Sequence, residues 1–336
     1  MHLDTPGTGR PLVIGHRGAP GCRPEHTLES YALAARMGAD CIEPDVVPTR
    51  DGVLVARHES EISGTTDIAD RPELADRRTT RTVDGHTVTG WFTEDLTLAE
   101  LRTLRAVERI PALRQPASTL DGRFAVPTLA EILRLRAGLS DELGREIAVY
   151  IETKHPSHFA GLGLSLEEPL VEELTRAGLT GPGAPVFVQS FELGSLRRVR
   201  AATGPGVPLV LLVAQADGPV ALSDAALASL AHEVEAIGPD KLLVIPWQED
   251  EQLGAPTDLV ARAHAAGLLV HPWTFRAENH FLPRDLRLGR RPADHGHLLA
   301  ELAAYLEVGV DGVFTDHPDL GVLARDASSR VHRRDT

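Results

Sequence analysis

Cys41-Ile42-Glu43-Pro44-Asp45-Val46-Val47-Pro48-Thr49-Arg50-Asp51-Gly52-Val53-Leu54-Val55-Ala56-Arg57-His58 begins as a strand and turns back on itself. Side chains alternate faces along a strand, so Cys41, Glu43 and Asp45 share one face and Ile42 and Pro44 the other. Two carboxylates so placed repel each other unless a proton or a cation lies between them. Arg50-Asp51-Gly52 is a turn signal. The apolar run Val53-Leu54-Val55-Ala56 follows too soon for a parallel crossover, so it must return as a hairpin. The return brings His58 level with Glu43 and Asp45. An isolated Glu-x-Asp is more often a solvated strand end, so its meaning depends on what surrounds it.

Upstream, Leu12-Val13-Ile14-Gly15 is a short buried-strand run ending in His16-Arg17-Gly18 and a Gly/Pro loop. Residues 25–37 have helical spacing, and Gly38 stops the helix. Downstream, 59–96 is polar, lacks a clean period and predicts at most a short helix. Thr97 and Glu100 form a capping box. Residues 106–126 are Pro-rich and irregular, and Pro127-Thr128 opens a helix to Ala137. Then strands are expected at 147–152, 185–191, 208–213, 241–246, 268–274 and 311–315. Helices are expected between them at 164–177, 193–201, 224–236, 258–266 and 297–306. Such alternation means a parallel sheet. Without the hairpin return there are eight strands, and the last can close on the first. The fold class is therefore α/β, a (β/α)8 TIM barrel with an insertion after the second strand. A doubly wound sheet is the alternative, weakened by the missing Gly-rich phosphate loop after the first strand. One catalytic barrel domain is expected over 11–323, its insertion at about 59–126, with a polar tail over 324–336.

The 336 residues carry a net charge of −14 with 42% hydrophobic and 24% charged residues. That balance argues against nucleic-acid and anionic-membrane partners, while leaving room for a locally positive site that takes a small anion. No run approaches the ~18 apolar residues of a membrane span, so no stable membrane insertion is expected. Residues 1–10 lack a signal-peptide core. This fits a cytoplasmic protein as written, or an exported one from which a leader has been removed. Cys22 and Cys41 fall at opposite ends of the expected barrel, so no disulfide is expected.

A barrel of this kind carries its chemistry at the C-terminal strand ends. Those ends supply His16 and Arg17, then Glu43 and Asp45 with His58, then Tyr150, Glu152 and Lys154 on one face, Gln189-Ser190-Phe191, Trp273-Thr274, and Thr315-Asp316-His317. Three convergent carboxylates (Glu43, Asp45, Glu152) call for one hard divalent cation, Mg2+ or Ca2+. Arg17 and Lys154 beside it suit a phosphate. His16 and His58 can serve as a proton-transfer pair near neutral pH. Trp273 can wall off an apolar side. His271, His280, His295 and His297 match no familiar metal spacing and are expected at the surface.

Together these runs resemble the glycerophosphodiester phosphodiesterase family. The resemblance lies in His16-Arg17-Gly18, Pro24-Glu25-His26-Thr27, Glu43-Pro44-Asp45, Thr49-Arg50-Asp51-Gly52, His58-Glu59, Glu152-Thr153-Lys154, Gln189-Ser190-Phe191, Trp273-Thr274 and Thr315-Asp316-His317-Pro318. It runs in order from about residue 12 to 320. The insertion, with Gly90-Trp91-Phe92-Thr93, is similar to the longer bacterial branch, many of whose members are exported. The resemblance implies metal-dependent hydrolysis of a small-molecule glycerophosphodiester to glycerol 3-phosphate and an alcohol. Glu43, Asp45 and Glu152 would be the metal ligands, and His16 and His58 the acid/base pair. Arg17 and Lys154 would hold phosphate, and Trp273 would line the glycerol side. His26 replaces the family's usual Asn, and Glu59 its usual Asp. Two alternatives are a phospholipase-type phosphodiesterase acting on a lipid headgroup and a non-catalytic barrel that binds a phosphorylated ligand. The first would need an exposed apolar rim; the second would not need two histidines.

Overall fold

The computed structural model describes residues 9–332. Twelve strands follow in chain order: β1 Leu12–His16, β2 Cys41–Glu43, β3 Asp45–Pro48, β4 Leu54–Ala56, β5 Thr79–Val83, β6 His86–Gly90, β7 Ala148–Thr153, β8 Val186–Ser190, β9 Leu209–Val213, β10 Ala236–Pro239, β11 Leu269–Val270 and β12 Gly312–Thr315. The main sheet runs β11-β10-β9-β8-β7-β2-β1-β12. Its strand pairs are parallel. Closure comes from backbone bonds between its two outer members: Asp311 N–H donates to Val270 O at 2.9 Å, and Phe275 N–H to Phe314 O at 2.9 Å. The result is the (β/α)8 barrel expected from the alternation.

Two layers of apolar side chains hold it. Inside, Ile14, Cys41, Tyr150, Phe187, Val210 and Phe314 come from successive strands and fill the barrel. Tyr150 stacks on Phe187 with ring centroids 4.6 Å apart and meets Phe314 edge-on at 5.0 Å. Outside, the other strand face packs against helices such as Leu28–Arg36, Leu129–Leu143 and Leu298–Val308. Thr27 and Thr128 cap the first two, the latter through a full capping box with Glu131.

The hairpin forms as expected: β3 and β4 pair antiparallel, Val46 opposite Ala56 and Pro48 opposite Leu54. Pro44 interrupts the second barrel strand between β2 and β3, because it has no N–H to give the ladder. Its carbonyl still accepts the Glu152 N–H at 2.9 Å, which keeps Asp45 in register with Glu152. Both cysteines are free thiols.

Five expectations are corrected. The sixth barrel strand is Ala236–Pro239, paired with β9, and not 241–246. Lys241–Leu243 is a 3-10 turn, and Val244 and Ile245 are buried beyond it without joining the sheet. A short buried apolar run reads the same in either setting, so periodicity could not separate them. Accordingly, the preceding helix is shorter, Asp224–Leu230. The insertion holds a β-ribbon, β5 with β6, turned at Asp84-Gly85 where both residues have positive φ. Residues 324–332 are not a loose tail: the closing helix runs Pro318–His332, with Ala324 and Arg325 buried and Arg325 paired to Asp40 at 2.5 Å. Residues 333–336 lie outside the described residues. Finally, His271 is fully buried in the barrel rather than at the surface.

Candidate active site

The mouth of the barrel opens on a cavity of about 270 Å3 lined by His16, Arg17, Glu43, His58, Glu152, Lys154 and Trp273, among others. Of the three acids, Glu43 and Glu152 line it, and Asp45 lies behind this surface, 1% exposed. Ligand oxygens of Glu43, Asp45 and Glu152 lie within 4.8 Å of one another. Burial and the two neighbouring acids push the Glu43 carboxyl well above its usual range. Burial and Asp45 push Glu152 up to about 8 against the pull of Lys154. Against its own burial, Asp45 is held well below the usual range by Lys154 and His26. Three acids thus crowd one buried site, and a positive charge among them would offset their repulsion. The buried Asp45 Oδ1 has no protein partner. An all-oxygen donor set with an unused buried carboxylate oxygen fits one hard divalent cation.

The neighbouring groups fix these acids in place. Gln189 Nε2 donates to Glu43 Oε1 at 3.0 Å, and the Arg17 N–H donates to Glu43 Oε2 at 2.7 Å. Arg17 reaches that position with φ 55°, a left-handed conformation rare outside glycine. His26 is also left-handed, at φ 53°. Its Nε2 donates to Asp45 Oδ2 at 2.9 Å, while Nδ1 accepts the Tyr31 hydroxyl at 2.7 Å. His26 therefore performs the loop-shaping and orienting work that an Asn could do there. Gly18 completes the turn at φ 97°; a Cβ there would meet Ser30 Oγ at 2.4 Å.

Both imidazoles are oriented in one way. His16 Nδ1 donates to Asp316 Oδ1 at 2.6 Å, and His58 Nδ1 donates to Glu59 Oε1 at 2.5 Å. A proton fixed on Nδ1 leaves each Nε2 as the basic atom. Burial, then Arg17, lowers His16 to about 4; burial, Arg17 and Lys154 lower His58 to about 3. Both rings are neutral at pH 7 before an anion arrives. Asp316 stays ionised despite burial, held well below its usual range by Arg276 and Arg114.

Arg17, Lys154, Lys241 and Arg276 are the cations that line the cavity. Arg17 Nη1 donates to both Glu25 oxygens, at 3.2 and 3.3 Å, and Lys154 Nζ to Glu152 Oε1 at 2.7 Å. Trp273 is anchored by its Nε1, which donates to Gly238 O at 2.7 Å. Phe191 meets its edge at 5.8 Å and is 44% exposed, so an aromatic wall faces solvent at the mouth.

Several contributors were not assigned from sequence. Gln189 and Asp316 sit in quoted motifs, so their strand-end positions were the available signal. Glu25 follows Pro24 in another. Arg109 and Arg114 come from the irregular part of the insertion, where nothing local marks them. A second group, Glu278, His295 and His317, also brings ligand-type atoms within 4.8 Å of one another. There the Ala277 N–H donates to His317 Nδ1 at 3.3 Å, which leaves the proton on Nε2, and Arg114 already holds Glu278 Oε1. Glu278 Oε2 and His317 Nε2 are buried there without a partner among the described residues, so one carboxylate oxygen of that group stays open.

Comparison with known proteins agrees with this geometry. The profile described as the Glycerophosphoryl diester phosphodiesterase family matches residues 16–320. A glycerophosphodiester phosphodiesterase of Arabidopsis thaliana is 36% identical over 335 residues, covering 92% of this chain and 84% of its own length. One from Bacillus subtilis is 32% identical, covering 93% and 85%. A solved structure from Silicibacter pomeroyi superposes with TM-score 0.68 at 25% identity, covering 96% of this chain and 95% of that one. An Oleispira antarctica phosphodiesterase, solved with its product sn-glycerol-3-phosphate, shares the fold at TM-score 0.64 and 22% identity, covering 94% and 97%.

Proposed function

The chain belongs to the glycerophosphoryl diester phosphodiesterase family and is a phosphoric diester hydrolase, and from that premise we propose how its residues divide the work. The substrate is a glycerophosphodiester, cleaved to glycerol 3-phosphate and an alcohol. Glu43, Asp45 and Glu152 would hold one Mg2+ or Ca2+, and the bound ion supplies charge neutralisation for the phosphate. Arg17 and Lys154 bind the phosphate oxygens, Arg17 as a fork and Lys154 as a point charge. Trp273, backed by Phe191, lines the glycerol side and keeps water from it.

His16 and His58 move the protons. One Nε2 takes the proton of the attacking hydroxyl, and the other ring gives one to the departing alkoxide. The giving ring must start protonated. An anionic phosphate offsets Arg17 and Lys154, and so raises both imidazoles from their low values in the free enzyme. The observation that carries this reading is the matched pair of histidines, each with Nδ1 committed to a carboxylate and each lining one cation-rich cavity.

The test is release of glycerol 3-phosphate from glycerophosphocholine. EDTA should abolish it. His16→Ala and His58→Ala should each lower the rate at least ~100-fold. Turnover indifferent both to chelator and to Glu43→Ala would remove the cation from the reaction. Binding of glycerol 3-phosphate without turnover at any pH would make the chain a binding barrel instead.

A further inference from the structure

The carboxylates behind the two histidines are not free to move. Arg109 donates to both oxygens of Glu59, Nη1 at 2.9 Å and Nη2 at 2.7 Å. It also grips Glu25 from Nε at 2.9 Å and Nη2 at 2.7 Å, and Glu25 in turn holds Arg17. Arg114 reaches the other dyad: its Nη2 donates to Asp316 Oδ2 and its Nε to Glu278 Oε1, each at 2.5 Å. Both guanidiniums come from one short stretch of the insertion, Arg109-Ile110-Pro111-Ala112-Leu113-Arg114. That stretch is folded on itself: Glu108 Oε1 accepts the Ile110 N–H at 3.0 Å, and Ile110 O accepts the N–H groups of Leu113 and Arg114 at 2.9 and 3.0 Å. One loop outside the barrel strands thus delivers one arginine to each histidine–carboxylate pair.

We propose that Arg109 and Arg114 are positioning residues that set the orientation of His58 and His16 through Glu59 and Asp316. A Glu side chain left to rotate spends little time in any one geometry, and holding it costs rotamer freedom. Two parallel N–H···O bonds from a planar fork fix both its position and its plane. Glu59 needs this more than Asp316. Its side chain is 36% exposed and, among the described residues, bound otherwise only to His58, whereas Asp316 is 2% exposed and keeps Arg276 at 2.8 Å. Removing Arg109 should therefore harm turnover more than removing Arg114. The insertion's own core, Ile62, Ile68, Leu74, Trp91, Leu96 and Leu104, contains neither arginine, so it survives either change.

This inference rests on the proton-transfer roles proposed above, and the test separates the two. Arg109→Met, Arg114→Met, His58→Ala and His16→Ala are each assayed on glycerophosphocholine and on the p-nitrophenyl ester of glycerol phosphate. Nitrophenolate leaves without a proton, so it spares a damaged acid and not a damaged base. The arginine variants should lose roughly 10- to 100-fold in kcat, Arg109→Met more, with KM little changed. Each should follow its own histidine: on the nitrophenyl ester one arginine–histidine pair recovers most of its loss and the other pair does not. Arg109→Lys and Arg114→Lys should recover only part, since an ammonium keeps the charge without the fork. The lysine forms carry the test if a methionine form does not fold. Wild-type kcat in the arginine variants, or an arginine variant whose response to the change of substrate differs from that of its own histidine variant, would overturn the positioning role. Full activity in His16→Ala and His58→Ala would instead overturn the proton-transfer roles.

Discussion

At the scale of single residues, His26 shows how a departure from a motif can leave its function standing. A histidine tolerates the left-handed backbone better than most residues and offers two ring nitrogens in opposite directions. Here one orients Asp45 and the other takes the Tyr31 hydroxyl. His26→Asn should keep most of the activity, while His26→Ala should weaken divalent-ion binding roughly 10-fold, read by titration calorimetry. His271 makes a different point. Burial lowers it to about 4, with Nδ1 against the Tyr150 hydroxyl at 2.8 Å. Its folded pKa lies below its unfolded value, so between those values the unfolded chain binds the extra proton. Stability is then complete above pH ~6.5 and is lost as pH falls toward 4, by at most about 3 kcal/mol from this group. Urea unfolding at pH 7 and pH 5 should show that loss, and His271→Gln should show a shallower one; equal slopes would exclude His271 as the cause.

At the scale of elements, the hairpin of β3 and β4 was legible because turn chemistry and apolar runs are local. The β5–β6 ribbon carried the same kind of signal in Asp84-Gly85, yet its strands are polar on both faces, so no apolar alternation drew attention to them. Beside the ribbon, Ile62, Ile68, Leu74, Leu96 and Leu104 form a satellite core around Trp91, which is 8% exposed and donates from Nε1 to Leu74 O at 2.7 Å. That small core supports the loop bearing Arg109 and Arg114. Trp91→Ala should cost about 3–5 kcal/mol within the insertion and leave the barrel folded. Limited proteolysis should then cut within 59–126 and turnover should fall. Unchanged cleavage and unchanged kcat would show the insertion to be supported elsewhere.

At the scale of the whole molecule, barrel closure brings together acids from β2, β3 and β7 at one mouth. Burial and their mutual repulsion raise Glu43 and Glu152, and a cation among them would act in the opposite direction. A divalent ion that binds the folded chain should stabilise it by about 2.7 kcal/mol at one hundred times its dissociation constant. Thermal melts should therefore rise with Mg2+ or Ca2+ over EDTA, and Glu43→Gln should flatten the rise. A wild-type melt indifferent to both ions would place them elsewhere. Among the described residues, no helix is long and apolar enough to cross a membrane.

Local sequence determined the alternation of strands and helices, hence the barrel, and the residue types at each strand end. Those follow from periodicity and from side-chain direction along a strand, which are properties of neighbouring residues. Tertiary structure alone decided that Asp240 to Pro246 is a covered loop, that His271 is interior, and that an irregular insertion sends Arg109 and Arg114 across to two dyads 50 and 202 residues away in sequence. Burial and long-range ion pairing are fixed by how distant segments meet, and no local pattern encodes that meeting.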